Sequence, residues 1–123
     1  MNVKICQCKI DEEGTYKYIQ IECTNKSNES DKKIFIRGSN EHYYHREILN
    51  DFMDKEINGG NNKSYREDYE YECIGGGRIE FSPEKIFIYG YSSRFGQADH
   101  KVTADIIKKF YPNHKIEISN EGY

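Results

Sequence analysis

The 123-residue sequence predicts an α/β fold, a mixed β-sheet flanked by two helices in a single compact domain over residues 1–123. Short runs that are apolar or alternate in polarity, the signature of strands, recur along most of the chain. Two segments alone, 41–56 and 102–110, switch to the period of a helix. The order is strands, helix, strands, helix, strand, with no internal repeat. At roughly 150 residues per domain the length suits one domain, and a chain of this size can bury one core.

Val3 to Ile10 reads as a strand, ended by the turn Asp11-Glu12-Glu13-Gly14. From Thr15 to Cys23 the chain alternates. Tyr16, Tyr18, Gln20 and Glu22 share one face, and Lys17, Ile19, Ile21 and Cys23 share the other. This is a half-buried strand expected to pair with the first as a hairpin. Asn25 to Asp31 is polar throughout and reads as a solvated loop, followed by a short buried strand over Lys33 to Gly38. His45, Ile48, Leu49 and Phe52 then fall at i, i+3, i+4 and i+7, one face of a helix from about Glu41 to Glu56. Ser39 or Asn40 is the expected cap.

Ile57 to Ser64 is a mobile connection by composition. Tyr69 to Ile74 resumes strand character, which Gly75-Gly76-Gly77 is expected to break. Arg78 to Phe81 and Lys85 to Tyr89 form two strands around Ser82-Pro83-Glu84, and Gly90 to Gly96 is a loop. Val102, Ile106, Ile107 and Phe110 mark the second helix, stopped near Pro112, and Lys115 to Ser119 is a closing strand.

Composition excludes several classes. A net charge of −3 argues against a nucleic-acid partner, whose binding needs a basic field. An aromatic share of 14% is high for a disordered chain. No run approaches the ~20 apolar residues of a membrane span, so no membrane partner is expected. The start of the chain shows no signal-peptide pattern, which points to a cytoplasmic protein with Cys6, Cys8, Cys23 and Cys73 as reduced thiols. Cys6-Gln-Cys8 is too closely spaced for zinc, and His42-x-x-His45 lacks a third ligand. The expectation is a monomer with no metal and no cofactor.

Chemistry concentrates at four places. Gly75-Gly76-Gly77-Arg78 suits a backbone that turns its N–H groups towards an anion beside a guanidinium; a loose turn with a surface Arg is an equal reading. Tyr89-Gly90-Tyr91-Ser92-Ser93-Arg94-Phe95-Gly96 joins a strand to a helix, where ligands of α/β sheets tend to sit. His45 faces the protein near a helix start, which disfavours imidazolium and suits a general base. The alternative is a core histidine whose ring nitrogens bond to backbone. Lys17 and Arg37 end apolar rows on strands; the ordinary reading is that such a cation snorkels out or pairs with an acid, the alternative that both line a pocket for a dianion.

These residues resemble a known family. The segments Gly14-Thr15-Tyr16-Lys17-Tyr18-Ile19, Arg37-Gly38 with Tyr44-His45, Glu72-Cys73-Ile74-Gly75-Gly76-Gly77-Arg78-Ile79, Tyr89-Gly90-Tyr91-Ser92 and Phe95-Gly96-Gln97-Ala98-Asp99-His100, together with the closing Glu121-Gly122-Tyr123, are similar in order to the protein-histidine phosphatases of the Janus/Ocnus family. The resemblance implies a metal-independent hydrolase of phosphohistidine-bearing proteins that releases inorganic phosphate. It implies His45 as proton acceptor, with Lys17, Arg37, Arg78, Ser92, Ser93 and Arg94 around the phosphoryl group. A phospho-residue binding protein with little turnover is the competing reading. Two departures stand out. The chain between His45 and Arg78 is longer than the family pattern, around Asn58 to Ser64, and Arg94 stands where relatives carry a small residue.

Overall fold

The computed structural model describes residues 5–59 and 63–121. Six strands form one mixed sheet: β1 (Cys8–Lys9), β2 (Gly14–Asn25), β3 (Asn28–Ser39), β4 (Tyr69–Phe81), β5 (Lys85–Tyr89) and β6 (Lys115–Ile118). They lie side by side in the order β1-β3-β2-β4-β5-β6. The two edge pairs, β1 with β3 and β5 with β6, are parallel, and the inner pairs are antiparallel. Helix α1 (His45–Asp51) runs on through a π-helical stretch, Phe52–Ile57. Helix α2 is Lys63–Glu67 and helix α3 is His100–Phe110. The α/β class with a mixed sheet is therefore as expected, but the described residues form three helices where two were expected.

Period two on β2 explains the layers. Ile19, Ile21 and Cys23 pack with Phe35 against Ile48, Phe52 and Ile57 of the α1 segment. Tyr16 and Tyr18 pack with Ile36, Ile79, Ile86 and Ile88 against Ile106 and Ile107 of α3. Both faces of β2 are thus covered, so it is a central strand rather than a half-buried one. Each fully buried aliphatic side chain stabilises the sandwich by about 1.5–3 kcal/mol.

The expected hairpin between the first two segments does not form. The first contributes only Cys8 and Lys9, paired parallel to Ile36 and Arg37, and residues 1–4 lie outside the described residues. Both edges of β2 are taken, by β3 and by β4. The polar stretch 25–31 is not a loop either, because β2 turns at Lys26-Ser27 directly into β3. Asn25 Oδ1 accepts from Ser27 N and Asn28 Oδ1 from Ser30 N, so polar side chains stabilise a ladder that extends into water. Exposure was legible there, but backbone conformation was not.

Helix α1 begins four residues later than expected. Its cap is neither Ser39 nor Asn40: the Glu47 carboxylate accepts from Tyr43 N and Tyr44 N, and Glu47 N donates to Tyr44 O. Of the connection expected to be mobile, 60–62 lie outside the described residues and Lys63 and Ser64 open α2.

Gly75-Gly76-Gly77 does not interrupt β4. The strand passes straight through it, for a reason of space. A Cβ at Gly76 would lie 2.7 Å from His45 Cδ2, and one at Gly77 2.6 Å from His100 Cε1. Glycine marks the close approach of other groups to this strand, not a turn around an anion. Just before it the register slips by one: Ile21 pairs with Cys73 but Gln20 with Gly75, leaving Ile74 as an extra residue. The slip puts Gly76 and Arg78, opposite Ile19 and Lys17, on the α1 face.

Candidate active site

An open cleft of about 430 Å³ lies at the start of α1, between β2, β4 and the loop that follows β5. Lys17 and Arg78, cross-strand partners on the sheet, contribute its floor. Tyr44, His45 and Arg46 enter from α1, and Ser92, Ser93 and Arg94 from the loop. Its volume is in the range of small-ligand pockets.

His45 is buried, and its Nε2 lies 2.9 Å from Gly77 O. A carbonyl can only accept, so Nε2 carries the hydrogen and the neutral ring keeps its lone pair on Nδ1. Burial pushes the imidazole pKa below its ordinary value, and the nearby charges of Lys17 and Arg78 push the same way; the bond to Gly77 opposes them. The ring is therefore neutral near pH 7. Both sequence readings of His45 meet here: one nitrogen is satisfied by backbone, and the other is available as a base.

The loop is folded by its own backbone. Ser92 N donates to Gly96 O and Gly96 N to Ser92 O, while Ser92 Oγ accepts from Phe95 N. Gly90 and Gly96 take φ of 77° and 84°, which favours glycine at both ends of the loop. Ser93 and Arg94 lie within this turn and line the cleft. The glycine strand has its amides engaged otherwise, with Gly76 N donating to Gly96 O, and the loop rather than the glycine run lines the cleft.

Arg37 is not part of this cleft. Its buried guanidinium bonds through Nε and Nη2 to the Glu56 carboxylate, both at 2.9 Å. It also donates to the carbonyls of Cys6, Gln7 and Ile36, which ties β1 to β3. Burial pushes Glu56 up, but Arg37 and Lys9 together hold its pKa below the ordinary value. Of the two alternatives read from sequence, pairing with an acid is the one observed. The partner was hidden because Glu56 lies 19 residues away, in the π-helical stretch.

A second histidine supports the site and was missed. His100 Nε2 donates to Gly90 O at 2.8 Å, and its Nδ1 is 2.6 Å from Tyr18 Oη. Tyr18 Oη is 3.0 Å from Thr103 Oγ1, which in turn accepts from Gln20 Nε2. Burial lowers the pKa of His100, so the ring is neutral and every donor direction follows: Gln20 to Thr103, Thr103 to Tyr18, Tyr18 to His100, His100 to Gly90. This chain links β2, α3 and the first residue of the loop. Tyr43, Tyr44, Arg46 and Tyr91 also line the cleft unannounced; Tyr43 and Tyr44 stand directly before His45, and their adjacency was the available signal.

Other chemistry finds less support. Among the described residues no three His, Cys, Asp or Glu side chains stand together as metal ligands. His42 Nε2 turns instead to Asp51, 2.7 Å away. All four cysteines are free thiols, and burial pushes Cys73 to about 11, so it is protonated at neutral pH. Among the described residues no helix is long and apolar enough to cross a membrane.

Residues 2–115 match the model of the Janus/Ocnus family, and the chain belongs to that family. Its relatives include sex-regulated protein janus-A of Drosophila melanogaster, 40% identical over 93% of this chain and 78% of the relative. Janus-A of Drosophila pseudoobscura pseudoobscura is 38% identical over 98% of this chain and 78% of the relative. The 14 kDa phosphohistidine phosphatase of Homo sapiens is 31% identical over 93% of this chain and 90% of the relative.

Proposed function

We propose that this protein hydrolyses phosphohistidine in proteins without a metal, with His45 as the general base. The observation that carries the reading is the tautomer of His45, whose Nε2 hydrogen is committed to Gly77 O beside two cations. Phosphoryl transfer runs through a loose transition state, so the protein's task is to position water and neutralise oxygen charge. Lys17, Arg78, Arg94 and the loop around Ser92 and Ser93 do the second, and His45 Nδ1 the first. Water forms a bond to phosphorus and yields a proton to Nδ1. The P–N bond breaks, its electron pair goes to the substrate imidazole nitrogen, and inorganic phosphate leaves. A ring already protonated on its other nitrogen departs neutral, which makes it a good leaving group. His45 then returns its proton to water.

One base is worth about 10²–10⁴-fold. His45→Ala is expected to cut phosphate release from a phosphohistidine peptide by that range while inorganic phosphate still binds, and EDTA is expected to leave the wild type active. Wild-type turnover in a folded His45→Ala variant would refute the base. Binding of phosphopeptide with no turnover in the wild type would favour a phospho-residue binding protein instead.

A further inference from the structure

The cleft holds more positive charge than one phosphoryl group needs. Lys17, Arg46, Arg78 and Arg94 line it, and none of its lining residues is a carboxylate. The chain as a whole carries −3, so this concentration runs against the overall balance. A phosphoryl group brings at most about two negative charges at neutral pH. Lys17 and Arg78 already act on the His45 ring, where that group would sit.

Arg46 is the cation left over. It is exposed, and among the described residues it makes no hydrogen bond or ion pair. It also stands in the first turn of α1, where the positive end of the helix dipole disfavours a cation. Stability gives no reason for an arginine there; an anion arriving from outside does. Beside it, Tyr43 and Tyr44 are 83% and 66% exposed, a pair of aromatic faces at the rim against which a peptide can lie.

We infer that Arg46 reads an acidic side chain next to the phosphohistidine, so that the substrates this cleft prefers are acidic peptide segments. The inference rests on the phosphohistidine reading above. The exposed tyrosines beside Arg46 favour a peptide over a free phosphorylated metabolite, because they add aromatic surface that a small metabolite would leave uncovered.

The test uses three phosphohistidine peptides that differ only in flanking Asp, Gln or Lys, together with their stable phosphoryl-triazolylalanine analogues. We expect kcat/KM and analogue affinity about fivefold higher for the Asp peptide than for the Gln peptide, as for a partly exposed ion pair. The gap shrinks in high salt. Arg46→Gln abolishes it and leaves the Gln peptide unaffected, and Arg46→Lys retains most of it. Equal values for Asp and Gln peptides in the wild type, or an unchanged gap in Arg46→Gln, overturn the inference. Tight binding of the Asp analogue without hydrolysis of any peptide keeps the recognition and refutes the phosphatase reading. Hydrolysis without charge preference does the reverse.

Discussion

Gly76 and His45 share one volume: the first carbon of any side chain at position 76 would lie 2.7 Å from the imidazole Cδ2. It would also lie 2.8 Å from Tyr18 O, a backbone atom that cannot yield alone. Gly76→Ala is therefore expected to displace the His45 ring from Gly77 O. Overpacking of this kind costs about 1–3 kcal/mol. Scanning calorimetry should show the loss of stability, and phosphate release should fall well beyond it. A variant with native melting and native turnover would mean that the ring can sit elsewhere.

The pH dependence has a defined sign. His45 and His100 both have folded pKa values lowered by burial, so between the unfolded value of about 6.5 and the folded value the unfolded chain binds more protons. Stability from these rings is complete above 6.5 and declines as pH falls through 6.5 towards the folded values. Urea unfolding at a series of pH values checks this. The acid limb of kcat/KM should likewise have its midpoint below 6.5, and should be missing from the residual activity of His45→Ala.

Tyr18→Phe removes the donor to His100 Nδ1 and the acceptor for Thr103 in one step. Leaving buried polar groups unpaired costs about 1–3 kcal/mol. Melting should drop by a few degrees for each kcal/mol in a domain of this size. Phosphate affinity should change little, since Tyr18 lies on the α3 face of β2, away from the cleft.

Arg37 and Arg78 should separate cleanly. Arg37→Ala leaves the half-buried Glu56 carboxylate with Lys9 alone and frees the carbonyls of Cys6, Gln7 and Ile36, and is expected to cost about 1–3 kcal/mol, read as a lower urea midpoint. Its surviving folded fraction should still bind phosphate. Arg78→Ala should weaken binding and turnover together, with partial rescue by Lys, because a guanidinium offers phosphate two parallel donors and an ammonium is a point charge. Phosphate titration monitored by NMR distinguishes the two.

Periodicity was enough for β2, β5, the buried half of β3, the apolar face of α1 and nearly all of α3, because those elements bury one regular stripe or alternate row. It was not enough where a third partner decides. The pairing of β1 depends on carbonyls held by Arg37, and the start of α1 on the reach of Glu47 back to Tyr43 and Tyr44. In the site, Lys17, His45, Arg78 and the Ser92–Arg94 loop were legible as residues, and the structure brings them to one cleft. Arg37 was misassigned because an inward-facing cation looks the same in sequence whether its anion is a ligand or Glu56.

The extra residue at Ile74 has a consequence for length. Residues of β4 that face α1 are Tyr71 and Cys73 before the slip, then Gly76 and Arg78 after it. Deleting Ile74 would straighten the strand and still leave Gly76 and Arg78 facing α1. One residue added between Gly76 and Arg78 would instead turn Arg78 to the α3 side, away from His45, with every amino acid of the site still present. Past the bulge, the number of residues in this strand binds the site as tightly as their identity. Insertions and deletions in homologous chains belong instead in the connection around 58–64, where no such parity is at stake.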